Sequence, residues 1–123
     1  MTPKSPPPAD CLFCRILRGE IPSTPLWQSE KTLIIADIAP QAPFHALVIP
    51  RLHAADIGEF MKEKGGPSDL SELFASALAL IEDRRIDRKG YRLVINTGRE
   101  GGQTVEHLHL HLLAGRPLGW PPG

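Results

Sequence analysis

His107-Leu-His-Leu-His-Leu-Leu113 alternates polar and apolar residues with a period of two, the pattern of a β-strand with one face buried. That period sets His107, His109 and His111 on one face and Leu108, Leu110 and Leu112 on the other. The leucines are expected in the core and the three imidazoles side by side. A lone histidine on a strand needs no special role, but three in succession on one face point to a clustered function. Upstream, Thr97 to Gln103 reads as a glycine-bearing loop and Tyr91-Arg-Leu-Val-Ile-Asn96 as another strand. Further upstream, Leu70, Leu73, Phe74, Ala77, Leu78 and Ile81 share one helical face. They predict a long helix from Ser68, with Asp69 and Glu72 favouring its start and Arg84 and Arg85 its end.

Toward the N-terminus, Leu26-Trp27-Gln28 and Thr32 to Asp37 read as strands joined by Ser29-Glu30-Lys31, and His45 to Ile49 as a third strand stopped by Pro50. Asp10 as N-cap and Gly19 as stop bracket a short helix from Cys11 to Arg18, with Leu12, Phe13, Ile16 and Leu17 as its apolar face. Ala55 to Lys64 carries a weaker helical pattern. The order is a short helix, three strands, a long helix and two strands. It predicts an α+β fold, an antiparallel sheet of about five strands covered on one side by the long helix.

A chain of 123 residues supports one compact domain. Fourteen basic and fourteen acidic side chains cancel, so no global field draws in nucleic acid or an anionic membrane. No specific nucleic-acid partner is expected. No apolar run approaches the roughly 18 residues of a membrane span. Four of the thirteen prolines fall in residues 1–9, which predicts a flexible leader before a domain at 10–123. That leader has no secretory signal pattern, and Cys11 and Cys14 read as reduced thiols or metal ligands rather than a disulfide. A cytoplasmic location is expected.

Two chemistries suit the histidine cluster: three imidazoles on a catalytic zinc, or one imidazole as a nucleophile whose neighbours fix its tautomer. Gly98-Arg-Glu-Gly-Gly-Gln-Thr104 just upstream offers glycines, backbone N–H groups and a hydroxyl, which suit phosphate oxygens. Cys11-x-x-Cys14 on a helix can reach one metal ion from a single face.

The pattern His107-x-His109-x-His111 followed by Leu112-Leu113 resembles the histidine-triad (HIT) superfamily of nucleotide hydrolases and transferases. Asp37-Ile-Ala-Pro-Gln-Ala-Pro43, His45-Ala-Leu-Val-Ile-Pro50, Gly90 to Asn96, Gly101-Gly-Gln-Thr-Val105 and Trp120-Pro-Pro-Gly123 are similar to its Hint branch, the purine nucleoside phosphoramidases. The resemblance spans Asp10 to Gly123 and implies a homodimer with one sheet continued across both copies. It implies His109 as nucleophile on the α-phosphorus of a purine nucleoside 5′-phosphoramidate, with a backbone carbonyl of the triad holding its Nδ1 proton.

By the same resemblance, His111, Asn96 and the backbone of Gly102, Gln103, Thr104 and Val105 hold phosphate oxygens, and Thr104 helps protonate the leaving amine. Asp37 is the expected ribose ligand, Phe13, Ile16 and Ile38 the walls of the purine slot, and Trp120 a residue reaching toward the partner's site. Ala36 departs from the histidine common beside that aspartate in eukaryotic relatives. The resemblance also implies a structural Zn²⁺ held by Cys11, Cys14, His45 and His107, whereas His53 reads as a surface residue at a helix start without a role. The alternative activities are a dinucleoside polyphosphate hydrolase of the same superfamily and a nucleotide-binding interaction module.

Overall fold

A computed structural model describes residues 10–123, and the expected leader at 1–9 lies outside them. Five strands form one sheet: β1 (Pro25–Gln28), β2 (Thr32–Ala36), β3 (Phe44–Pro50), β4 (Tyr91–Val94) and β5 (Leu110–Ala114). Their spatial order is β1-β2-β3-β5-β4, and every neighbouring pair is antiparallel. Leu47 on β3 lies opposite His111 on β5, and His45 opposite Leu113. That register carries the rest of the site.

The helices are α1 (Leu12–Leu17), α2 (Ile57–Lys62), α3 (Gly66–Asp83) and α4 (Gly98–Gly101), with a 3-10 turn at Ile86–Arg88. Helix α3 lies on one face of the sheet, where Leu73, Ala77, Leu80 and Ile81 pack on Ile34, Ala46, Val48, Leu110 and Leu112. Burying each of the larger aliphatic chains there contributes about 1.5–3 kcal/mol. The leucines of the alternating stretch are buried as expected, Leu110 and Leu112 under α3 and Leu108 beside Phe60 of α2.

The opposite face carries a second apolar cluster. Phe13 and Cys14 of α1 pack with Leu33, Ile35, Leu47 and Ile49. The long helix thus covers one face, as expected, and the short α1 packs on part of the other.

Some boundaries differ from the expected ones for local reasons. Cys11, not Asp10, caps α1, with its Sγ accepting the Cys14 N–H at 3.4 Å. Helix α3 begins two residues before Ser68, because Pro67 fits the first helical turn and Gly65 turns the chain with φ of 80°. Regular pairing of β5 starts only at Leu110, so His107 and His109 stand just before the ladder.

Candidate functional site

His109 is buried where the chain enters β5. Its Nδ1–H donates to the backbone carbonyl of His107 at 2.7 Å. A carbonyl can only accept, so the proton must sit on Nδ1, and Nε2 is left with a free lone pair. Burial pushes the His109 pKa below the ordinary value, against the raising effects of that hydrogen bond and of Asp37. The Phe13 ring packs nearly perpendicular to the imidazole with centroids 4.9 Å apart, and the His111 ring centroid lies 5.0 Å away.

His111 has the opposite proton arrangement. His45 and His111 are diagonal cross-strand neighbours on one sheet face, which brings His45 Nε2 to 2.9 Å from His111 Nδ1. The backbone N–H of Gln41 donates to His45 Nδ1 at 3.0 Å, so the His45 proton is on Nε2 and points at His111. His111 Nδ1 accepts it, and the remaining His111 proton is on Nε2. A fixed backbone N–H thereby sets the tautomers of two rings in series. Asp37 Oδ2 lies 3.3 Å from His45 Nε2, while its Oδ1 accepts the Ala39 N–H at 2.8 Å. Burial, with His109 and His45 adding to it, pushes His111 down to about 4, so its ring is neutral at pH 7. His45, His111, Asn96, Arg92 and the C-terminal Pro122 and Gly123 line a cavity of about 560 Å³.

Cys11, Cys14, His53 and His107 form a second cluster whose donor atoms all lie within 4.8 Å of one another. This corrects the expected ligand set: His53 takes the place given to His45. The register gives the reason. His45 lies opposite Leu113 and Leu47 opposite His111, so continuing the ladder puts His107 level with Arg51. His45 is then six residues, about 20 Å, too far along the strand. His53, just past the end of β3, folds back onto the His107 ring, with the two Nδ1 atoms 3.0 Å apart.

The cluster fits a tetrahedral metal ion. Bonds of about 2.3 Å to sulfur and about 2.0–2.1 Å to nitrogen space sulfur and nitrogen about 3.5 Å apart around such an ion. The Cys11–His107, Cys14–His107 and Cys14–His53 separations are 3.4, 3.5 and 3.3 Å. His107 Nε2–H donates to the Pro50 carbonyl at 2.9 Å, which leaves the Nδ1 lone pair facing the thiols. Burial holds His107 neutral, down to about 4. Burial also pushes the Cys14 thiol up to about 12, a penalty that a neighbouring cation reverses.

The other expected site residues are dispersed. Asn96 joins the His45–His111 cavity. Thr104 and Val105 line a different cavity of about 440 Å³ beside Cys11 and His53. Gln103 braces its own loop: Nε2 donates to the Ala55 and Val105 carbonyls at 2.6 and 3.0 Å, and Oε1 accepts the Gly98 N–H at 2.9 Å. The Gln103 and Gly102 backbone N–H groups are engaged as well, donating to the Gly98 and Arg99 carbonyls at 3.0 and 3.1 Å. Gly102 ends α4 with φ of 81°, which a side chain resists. Ile16 is half-buried against the α1 cluster, Phe13 is buried against His107 and His109, and Ile38 is fully exposed. Trp120 is 82% exposed, on a tail that Arg92 holds through the carbonyls of Leu118 and Gly119.

An α+β sheet carrying three clustered histidines beside a Cys₂His₂ donor set defines a histidine-triad domain. The family model for the HIT domain matches residues 18–118, and the chain belongs to that family. It is 40% identical over 110 residues to the purine nucleoside phosphoramidase of Escherichia coli strain K12, covering 89% of this chain and 91% of that protein. It is also 40% identical over 114 residues to a 14 kDa zinc-binding protein of Brassica juncea, covering 93% of this chain and all of that one. The crystal structure of a HIT family hydrolase from Legionella pneumophila Philadelphia 1 superposes with a TM-score of 0.87 at 43% identity, over 93% of this chain and all of that one.

Proposed function

We propose that the protein hydrolyses the P–N bond of purine nucleoside 5′-phosphoramidates, AMP-amines and AMP-lysine among them, through a nucleotidyl-His109 intermediate. The observation that carries this reading is the opposed pair of imidazoles: His109 presents a lone pair at Nε2, and His111 beside it presents an N–H. His109 Nε2 attacks the α-phosphorus as the P–N bond breaks, and the amine leaves with a proton that the Thr104 hydroxyl helps deliver. The His107 carbonyl stabilises the positive charge that develops on the His109 ring. His111 Nε2–H, Asn96 and the backbone N–H groups of Thr104 and Val105 hold the phosphate oxygens, those of Gly102 and Gln103 being spent on the Arg99 and Gly98 carbonyls. Water then attacks phosphorus and releases the nucleotide and a neutral His109. Asp37 binds the ribose, Phe13, Ile16 and Ile38 flank the base, and Trp120 acts at the site of a second copy.

Cys11, Cys14, His53 and His107 hold a structural Zn²⁺ in this reading, supported by the donor spacing and by the name of the Brassica relative. When bound, the ion ties α1 to the entrance of β5. The outer edge of β4 meets no strand among the described residues and carries half-buried Leu93 and Val94, which supports a homodimer that continues the sheet. No described helix is long and apolar enough to cross a membrane. Neither cysteine is in a disulfide, which suits a reducing cytoplasm. Turnover of a fluorogenic adenylated amine tests the activity: wild type is expected to release the amine, and a His109→Ala protein that turns over at the same rate would refute the covalent route.

A further inference from the structure

His107 belongs to two arrangements at once. Its ring Nδ1 faces Cys11 Sγ, Cys14 Sγ and His53 Nδ1, and its Nε2–H is tied to the Pro50 carbonyl. Its backbone carbonyl, meanwhile, is the acceptor for His109 Nδ1–H. That bond is the only hydrogen bond of the His109 ring among the described residues, so nothing else selects its tautomer. Without it the proton is free to sit on Nε2, where it blocks attack.

Helix α1 strengthens the connection. It is six residues long, too short to persist unaided, and Phe13 sits between the two cysteines. The Phe13 ring abuts both His107 at 5.8 Å and His109 at 4.9 Å, near-perpendicular to each. Fixing Cys11 and Cys14 to the His107 ring therefore fixes the His107 backbone and the wall against His109 together.

We infer that the Cys11–Cys14–His53–His107 set is a positioning device for the nucleophile: a divalent cation in it locks the His107 carbonyl and so keeps His109 in the Nδ1–H tautomer. This rests on His109 being the nucleophile, as proposed above, and makes His107 a positioning residue as well as a metal ligand. Emptying the set then lowers the fraction of His109 able to attack, while leaving the nucleotide contacts of His111 and Asn96 in place.

Long-range ¹H–¹⁵N spectra of ¹⁵N-histidine protein read the tautomer directly, with zinc loaded and after removal by a chelator. The loaded protein is expected to show His109 wholly as Nδ1–H. The stripped protein, still folded by its amide spectrum, is expected to show a mixed tautomer and a single-turnover nucleotidylation rate, at saturating substrate, at least tenfold lower. A Cys11→Ser, Cys14→Val double variant, which keeps a side-chain acceptor at the N-cap of α1, covers the case in which the stripped protein unfolds. Unchanged Nδ1–H in a folded metal-free form overturns the inference. So does failure of both metal-free forms to fold, since the set then acts on folding alone. A His109→Ala protein that retains turnover refutes the covalent route through His109 and leaves the tautomer result standing, so the two failures are distinguishable.

Discussion

His53, expected to have no role, takes the ligand position that the resemblance gave to His45, and His45 pairs with His111 instead. His45 Nε2 is 2.9 Å from His111, and His53 Nδ1 is 3.3 Å from the Cys14 thiol. His53→Ala is therefore expected to lower zinc affinity by more than the about 10–100-fold that losing an outer-shell partner costs, with elemental analysis after dialysis against a weak chelator as the check. His45→Ala is expected to keep a full zinc complement and to lose about 10–100-fold in kcat, because the His111 proton is no longer held on Nε2. Acid should weaken the fold through His111. Its burial-lowered pKa of about 4 lies below the unfolded value of 6.5, so the folded state takes up fewer protons than the unfolded chain between those values. Stability is then full above about pH 6.5 and falls as the pH drops toward 4, a trend that thermal melts at pH 7.5, 5.5 and 4.5 check. The period-two pattern alone made the triad legible, since alternation fixes a face without any knowledge of partners. Which distant histidine meets the cysteines was not legible, because it depends on the β3–β5 register, and nothing local to His45 or His53 encodes that.

Among the elements, α3 was legible because eighteen residues repeat the 3.6-residue period many times over. Helices α2 and α4 have six and four residues, too few for a period to stand out. The start of α3 shows a constraint that sequence pattern cannot carry. A Cβ on Gly66 would lie 1.9 Å from the Phe60 carbonyl oxygen. Gly66→Ala is expected to cost at least about 1–3 kcal/mol, read as a lowered denaturant midpoint, because backbone has to shift to admit the methyl. Gly119→Ala, where no atom lies within 4 Å, is the matched control and should leave the midpoint unchanged. Helix α1 was legible as a helix, but its attachment was not, since it docks through Phe13, Cys14 and a donor set gathered from three separate parts of the chain.

For the whole molecule, zero net charge describes a protein that would capture an anion locally rather than by a long-range field. Backbone N–H groups, a hydroxyl and tautomer-fixed imidazoles are the means it offers. Sedimentation at micromolar concentration is expected to give a particle of twice 13.5 kDa, with β4 edges paired, and a 13.5 kDa particle would contradict both the shared sheet and the action of Trp120 across it. On the proposed route His109 Nε2 is the atom that attacks phosphorus. Rapid acid-free quenching of the protein during turnover of an adenosine 5′-phosphoramidate, followed by peptide mass spectrometry, is the decisive test. An adenylyl group on His109 is the expected result, and turnover with the adduct on another residue, or with no adduct under conditions that preserve phosphohistidine, would contradict it.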